Sequence, residues 1–288
     1  MRLLLLAASC IPCLLALPAC SAPPDHDVPI DDQDQVEQPI VGGRADKADP
    51  AVVAIDIGGE ALCSGSLISS RAVLTARHCV SYTDPGYGCP ADEPQTFGER
   101  LPGSLVIKTG YDVRTARTLA RGASILVPPE PILCEQDIAV IILDRSVTSI
   151  VPLRVRTGPA PSPGQLVRAV GFGRRGDHLG AGKKYARNNI PITWVGASEF
   201  TVDEAVCSGD SGGPALDQAS GDIVGVVSAG GETCEGSNAW GLYTRADAFS
   251  SLLARALASS AGVRPCGPGQ RCPNGYRCSP ERVCTPST

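Results

Sequence analysis

Histidine, runs of like charge and helical periodicity are scarce in this 288-residue chain. Its three histidines are His26, His78 and His178, so any reaction needing an imidazole base has three candidates. No block of Lys or Arg occurs and the formal net charge is −5, which removes the electrostatic footprint of a nucleic-acid binder. No long stretch with a 3.6-residue apolar period precedes residue 245, which argues against a helical bundle. Glycine (32) and proline (25) are plentiful instead, and they favour a loop-rich, mostly β protein. The length allows one or two domains with a sizeable core.

Residues 1–19 carry one Arg, an apolar run and a small-residue cleavage site, the pattern of a secretory signal rather than a spanning helix. Leu17-Pro18-Ala19-Cys20 is similar to the lipobox of bacterial lipoproteins, in which the cysteine becomes the lipidated first residue. That similarity implies a lipid on Cys20 and a place on the outer membrane or cell surface. Ordinary cleavage nearby, leaving a soluble secreted protein, is the alternative. Of 13 cysteines, Cys10 and Cys13 leave with the signal and Cys20 takes the lipid. The ten that remain form an even set in an oxidising compartment, which implies five disulfides.

Residues 20–39 form an acidic, proline-rich linker with too few large apolar side chains to offset the entropy of ordering. Asp31, Asp32 and Asp34 read as part of that solvated tether rather than as a calcium site. From Ile40 the texture changes to short β-rich runs: AVVAIDI, LCSGSLIS, AVLTA, SLVIKTG and DIAVIIL. After a Pro/Gly-rich break at 158–164 come QLVRAVGFG, IPITWVGA, DIVGVVSAGG and AWGLYT. Two groups of short strands predict a pair of sandwiches or barrels. Residues 246–258 place Phe249, Leu252, Leu253, Ala256 and Leu257 on one face of a closing helix.

The tail, residues 259–288, spaces Cys266, Cys272, Cys278 and Cys284 with five residues between each. It lacks a core of its own, so two disulfides are expected to staple it, with three pairings open. Zinc is the lesser alternative, because C-x2-C spacing is absent from the tail. GFGRRG (171–176) matches a dinucleotide-binding glycine pattern literally, but no helix follows it and no acidic partner stands in a βαβ unit. It is expected to be a loop. No metal or cofactor is expected.

CSGDSGGP (207–214) sets Ser211 among glycines behind an Asp. Such a stretch is a tight turn in any protein, yet bare backbone beside a hydroxyl also lets N–H groups reach an oxyanion. A serine needs a base, and His78 follows an apolar strand that would hold it rigidly, unlike His26 in the linker or His178 in a polar loop. The pair needs a buried acid, and Asp137 opens the apolar run DIAVIIL. An Asp hydrogen-bonded to backbone at a strand entry is the plainer reading of Asp137.

IVGG (40–43), TARHC (75–79), DIA (137–139) and GDSGGP (209–214) stand in the order found in chymotrypsin/trypsin-like serine proteases, which residues 40–258 resemble. The resemblance implies an all-β fold of two six-stranded antiparallel β-barrels with a C-terminal helix and the site between the barrels. It implies Ser211 as nucleophile, His78 as general base and acid, Asp137 as orienting carboxylate, and the N–H groups of Gly209 and Ser211 as the oxyanion hole. It further implies that Ile40, freed by a cut after Pro39, pairs its α-ammonium with Asp210. Ser228 would lie beside the acid, and Cys63–Cys79 and Cys207–Cys234 would be disulfides, leaving Cys89 and Cys134 to pair. Ala205, Val206, Ser228, Gly230 and Gly241 would line the substrate pocket. Ala205 brings no charge and two glycines leave room, so apolar residues, medium or aromatic, are expected before the scissile bond.

Three residues depart from the family pattern. Arg77 stands where a small residue is usual, and its stem is expected to reach solvent. Ala229 replaces an aromatic, and Pro39 replaces a basic residue at the activation bond. A segment disulfide common before the pocket is also missing. The expected protein is a monomeric serine endopeptidase acting on proteins or peptides. An unprocessed, inactive binding protein is the alternative.

Overall fold

The computed structural model describes residues 40–84, 89 and 94–261, with the backbone of 276–278 and 284–286. The signal, the linker, His26, Cys20 and the side chains of Cys266, Cys272, Cys278 and Cys284 lie outside the described residues.

The β-branched runs of the first half pair as antiparallel strands. They are β1 (Val52–Ile57), β2 (Ala61–Ser69), β3 (Ala72–Thr75), β4 (Leu105–Thr109), β5 (Arg117–Leu126) and β6 (Ala139–Leu143). They close into a barrel in the order β1-β2-β3-β6-β5-β4, with β4 returning to β1. The second half supplies β7 (Leu166–Gly171), β8 (Tyr185–Val195), β9 (Glu199–Asp203), β10 (Pro214–Asp217), β11 (Ile223–Gly230) and β12 (Trp240–Arg245). These close as β7-β8-β9-β12-β11-β10, with β10 returning to β7, so the second barrel repeats the strand order of the first. A two-residue strand, Arg44–Ala45, adds to the outside of β8.

Helix α1 (Arg77–Val80) is a single turn after β3, and α2 (Ser250–Ser260) follows the second barrel. Leu252, Leu253 and Ala256 of α2 are buried in the cluster that fills the first barrel, while Leu257 is 39% exposed. The helical face is therefore one residue narrower than its sequence pattern implies. Because α2 covers β6 from outside, every residue of Ala139–Leu143 is buried and the usual strand alternation is lost.

Between Arg44–Ala45 and β1, the chain is tied to the second barrel by a buried cation. Lys184, 2% exposed, donates to the carbonyl oxygens of Asp49 and Val52 and lies 3.7 Å from Asp46. Burial lowers the Lys184 pKa, and the charges of Asp46 and Asp49 oppose that fall. In the tail, 276–278 and 284–286 pair antiparallel.

Candidate active site

The ladder between β3 and β6 decides where the base and the acid meet. Thr75 at the end of β3 is registered with Ala139 at the start of β6. His78, three residues past Thr75, and Asp137, two residues before Ala139, are thus delivered to one end of the first barrel. The His78 Nδ1 lies 2.7 Å from Asp137 Oδ2, and the His78 backbone N–H donates to Asp137 Oδ1 at 2.9 Å. Ser228, from β11 of the other barrel, donates its hydroxyl to Asp137 Oδ2 at 2.7 Å. Thr244 donates to the Asp137 carbonyl oxygen at 3.1 Å.

Asp137 is buried with these partners, which offset the cost of keeping its charge out of water. Burial alone would raise its pKa; the His78 charge, the two His78 hydrogen bonds and the Ser228 hydroxyl outweigh it and hold the pKa below 3.8. Burial likewise works against a charged His78 imidazole, but the adjacent Asp137 charge and hydrogen bond prevail and hold its pKa above 6.5. An ionised Asp137 accepting from Nδ1–H leaves Nε2 free to accept a proton.

Ser211 arrives from the second barrel. It precedes β10, and the Gly212 N–H donates to Val227 of β11, so Ser211 lies next to Ser228. Its carbonyl accepts from the Ser64 N–H of β2 at 2.8 Å, which joins the 207–214 loop to the first barrel. Gly212 has φ +80, and a Cβ there would come within 2.0 Å of Thr75 Oγ1, so the turn admits only glycine. The N–H groups of Asp210, Gly212 and Gly213 are spent on carbonyl oxygens of Cys207, Val227 and Asp210. Those of Gly209 and Ser211 have no acceptor among the described residues. Ser211 Oγ and His78 form no hydrogen bond among the described residues.

Asp210 is 1% exposed and has no cation beside it among the described residues. It accepts from the N–H groups of Gly173 (2.8 Å) and Cys207 (3.0 Å). Burial nevertheless pushes its pKa up to about 7. The GFG of residues 171–173 turns out to be its cradle: a Cβ on Gly173 would lie 2.5 Å from the Asp210 carboxyl carbon. Sequence reasoning dismissed GFGRRG as a loop and missed this role. The signal was two glycines flanking an aromatic at a strand end. Ile40 is buried in the second-barrel core, and Arg187 holds the carbonyl oxygen of Val41 at 2.6 Å.

A cavity of about 200 Å3 opens beside Ser211. Val206, Ser228 and Gly230 line it, together with Ala229, Gly231 and Glu232. Ala205 and Gly241 do not. Ala205 is fully buried, and a Cβ on Gly241 would meet Val206 Cγ2 at 2.8 Å. The room expected at two glycines is therefore partly taken by Val206. Asp177, also at the cavity, accepts from the Cys234 N–H at 2.8 Å. Disulfides join Cys63 to Cys79, Cys89 to Cys134 and Cys207 to Cys234.

Arg77 departs from expectation. It does not reach solvent but is 3% exposed, donating to the carbonyl oxygens of Glu130 and Ile132, with Glu99 4.0 Å away. The carbonyls of the segment leading to Asp137 give its charge a buried seat. Cys63, His78 and Cys79 approach one another closely enough to suggest a metal, but both sulfurs are spent in their disulfide.

The two closed barrels define a class, the serine endopeptidases of the trypsin-like fold. The chain belongs to the Trypsin family, whose sequence profile matches residues 40–253. It is 31% identical over 198 residues to a cercarial protease of Schistosoma mansoni, covering 59% of this chain and 70% of that protein. It is also 31% identical over 234 residues to CLIP domain-containing serine protease B10 of Anopheles gambiae, covering 65% of this chain but 59% of the mosquito protein. Among solved structures, mouse brain neuropsin, a serine protease, superposes with a TM-score of 0.59 at 19% identity, over 75% of this chain and 99% of its own. No helix among the described residues is long and apolar enough to cross a membrane.

Proposed function

We propose that this protein hydrolyses peptide bonds with Ser211 as nucleophile, His78 as base and then acid, and Asp137 as the group that fixes the imidazole. In the scheme established for this family, His78 Nε2 takes the Ser211 proton as Oγ attacks the substrate carbonyl. The carbonyl oxygen becomes an oxyanion held by the N–H groups of Gly209 and Ser211. His78 then protonates the leaving amine, and water repeats the sequence on the acyl-enzyme. The observation that carries the reading is the free Gly209 and Ser211 N–H pair beside a serine whose neighbours His78, Asp137 and Ser228 are already bonded into one chain. The Ser211–His78 hydrogen bond has to close when substrate binds; such bonds are often open in resting active sites and tighten in the substrate complex.

The preferred residue before the scissile bond is apolar, medium or aromatic, because Val206 rather than an acid stands beside Ser228 and Gly230, with Glu232 and Asp177 the carboxylates that also line the cavity. Activity requires a cut between Pro39 and Ile40, after which the new α-ammonium pairs with Asp210. The precursor is exported and, through Cys20, lipid-anchored. That cut then releases a soluble catalytic domain, because no cysteine lies between residues 21 and 39. Labelling with a fluorophosphonate tests the chemistry: the processed protein should react once per chain and Ser211→Ala not at all. Equal labelling of the variant would end the reading. Fractionation with N-terminal sequencing tests release, and a fully active form still bearing residues 20–39 would refute it.

A further inference from the structure

Ser64 sits in the middle of β2, 0% exposed, with no part in the scheme above. Each of its polar groups is committed. Its hydroxyl donates to the Gly209 carbonyl oxygen at 2.9 Å and accepts from the Phe172 N–H at 3.0 Å. Its backbone N–H donates to the Ser211 carbonyl oxygen at 2.8 Å, and its own carbonyl accepts from Thr75 Oγ1 at 2.9 Å.

The two residues of the nucleophile loop that Ser64 grips, Gly209 and Ser211, are the two whose N–H groups are left free. We propose that Ser64 is a positioning residue that pre-organises the oxyanion hole from the opposite barrel. This rests on the reading of Gly209 and Ser211 given above. Gly209 has φ +100 and no side chain to restrict it, so its peptide planes are set by their hydrogen bonds: the Arg174 N–H holds the Ser208 carbonyl oxygen on one side at 2.8 Å, and the other side is held by the Asp210 N–H on Cys207 and by Ser64. The Ser64 hydroxyl holds the carbonyl on one side of that residue, which restricts the N–H on the other. The same hydroxyl receives Phe172, whose neighbours Gly171 and Gly173 pack against Asp210, so the cradle and the hole share one anchor. A preset donor stabilises charge at the moment of reaction without reorganisation. Ser64 touches no reacting atom; its hydroxyl acts through Gly209 and Phe172.

Ser64→Ala removes the hydroxyl and keeps the backbone bond to Ser211. The processed full chain is assayed on a peptide p-nitroanilide with Leu or Phe before the scissile bond, with kcat expressed per fluorophosphonate-titrated site so that unfolded protein is not counted. Removing an oxyanion donor costs roughly 10²–10³ in kcat, so loosening one is expected to cost about 10- to 100-fold, with KM within about twofold. Affinity for the matching peptidyl trifluoromethyl ketone, which forms an oxyanion, should fall by the same factor. Affinity for the peptidyl alcohol, which fills the cavity without one, should not change. Unchanged kcat, or equal losses for both inhibitors, would overturn the proposal while leaving the Ser211 assignment standing. Wild-type turnover surviving in Ser211→Ala would instead remove the reading beneath it. Ser64→Gly meets the same criteria should Ser64→Ala fail to fold.

Discussion

Raising the pH on uncut protein should destabilise it chiefly through the Asp210 carboxyl, with the raised groups of Asp46, Glu199 and His78 acting in the same direction. The folded state holds the Asp210 carboxyl at a pKa of about 7 against an ordinary 3.8, because burial removes its water and two N–H donors only partly replace it. Between those values the unfolded chain is ionised and the folded chain keeps the proton, so stability falls as pH rises through the window. A difference of about 3 pKa units corresponds to about 4 kcal/mol, a large share of a domain's net stability. Urea unfolding of the Ser211→Ala precursor, which cannot digest itself, at pH values from 4 to 8 should show this decline. Asp210→Asn, which has nothing to titrate, should flatten that part of the profile. Cutting before Ile40 should also flatten it, because an α-ammonium stays charged through the same range and can pair with the carboxylate. Parallel profiles for precursors with and without the Asp210→Asn change would refute the reasoning, as would stability that climbs from pH 4 to 7.

Ser211→Ala and His78→Ala should each lower kcat by roughly 10⁶, and the double variant should lose little more, since the two act as a unit; a steady-state assay of all three decides it. Activity needs a neutral His78, so kcat/KM should fall as pH drops through a His78 pKa above 6.5. Asp137→Asn should move that limb to lower pH and cost about 10⁴ in kcat, which a pH–rate profile would register. Peptides with Leu, Met or Phe before the scissile bond should be cleaved faster than those with Arg or Lys, because Val206 brings no charge to the cavity; a preference for Arg or Lys would show that Glu232 or Asp177, which also line it, pairs with the cation. Arg77→Ala should cost about 2–4 kcal/mol in thermal unfolding, because the carbonyl oxygens of Glu130 and Ile132 lose a buried donor.

The barrels were legible because alternating β-branched runs between turn residues have few other solutions, and four motifs in one order named their arrangement. The acid at Asp137 was legible because a carboxylate opening a buried run has to find a partner. Other features depend on contacts between distant segments, which periodicity does not report. Nothing in LCSGSLIS marks Ser64 as a bridge to Gly209, 145 residues away, beyond small polar residues in the middle of a buried strand. Arg77 was misjudged because a cation is usually cheapest in water, and only the fold shows two backbone carbonyls waiting for it. Gly241 was read as open space because a missing side chain says nothing of what a neighbour such as Val206 puts there.

A protease that works among copies of itself must not be a good substrate. Cleavage clefts take chain that can lie extended with its backbone hydrogen bonds unmade, and a closed barrel has no edge strand to peel away. Both barrels here are closed, and the buried Lys184 pins the stretch that leads into β1. Among the described residues, self-digestion is expected first in connecting loops such as 174–181, where exposed residues join β7 to β8. The strand order that brings His78 to Asp137 also leaves neither barrel an edge to open.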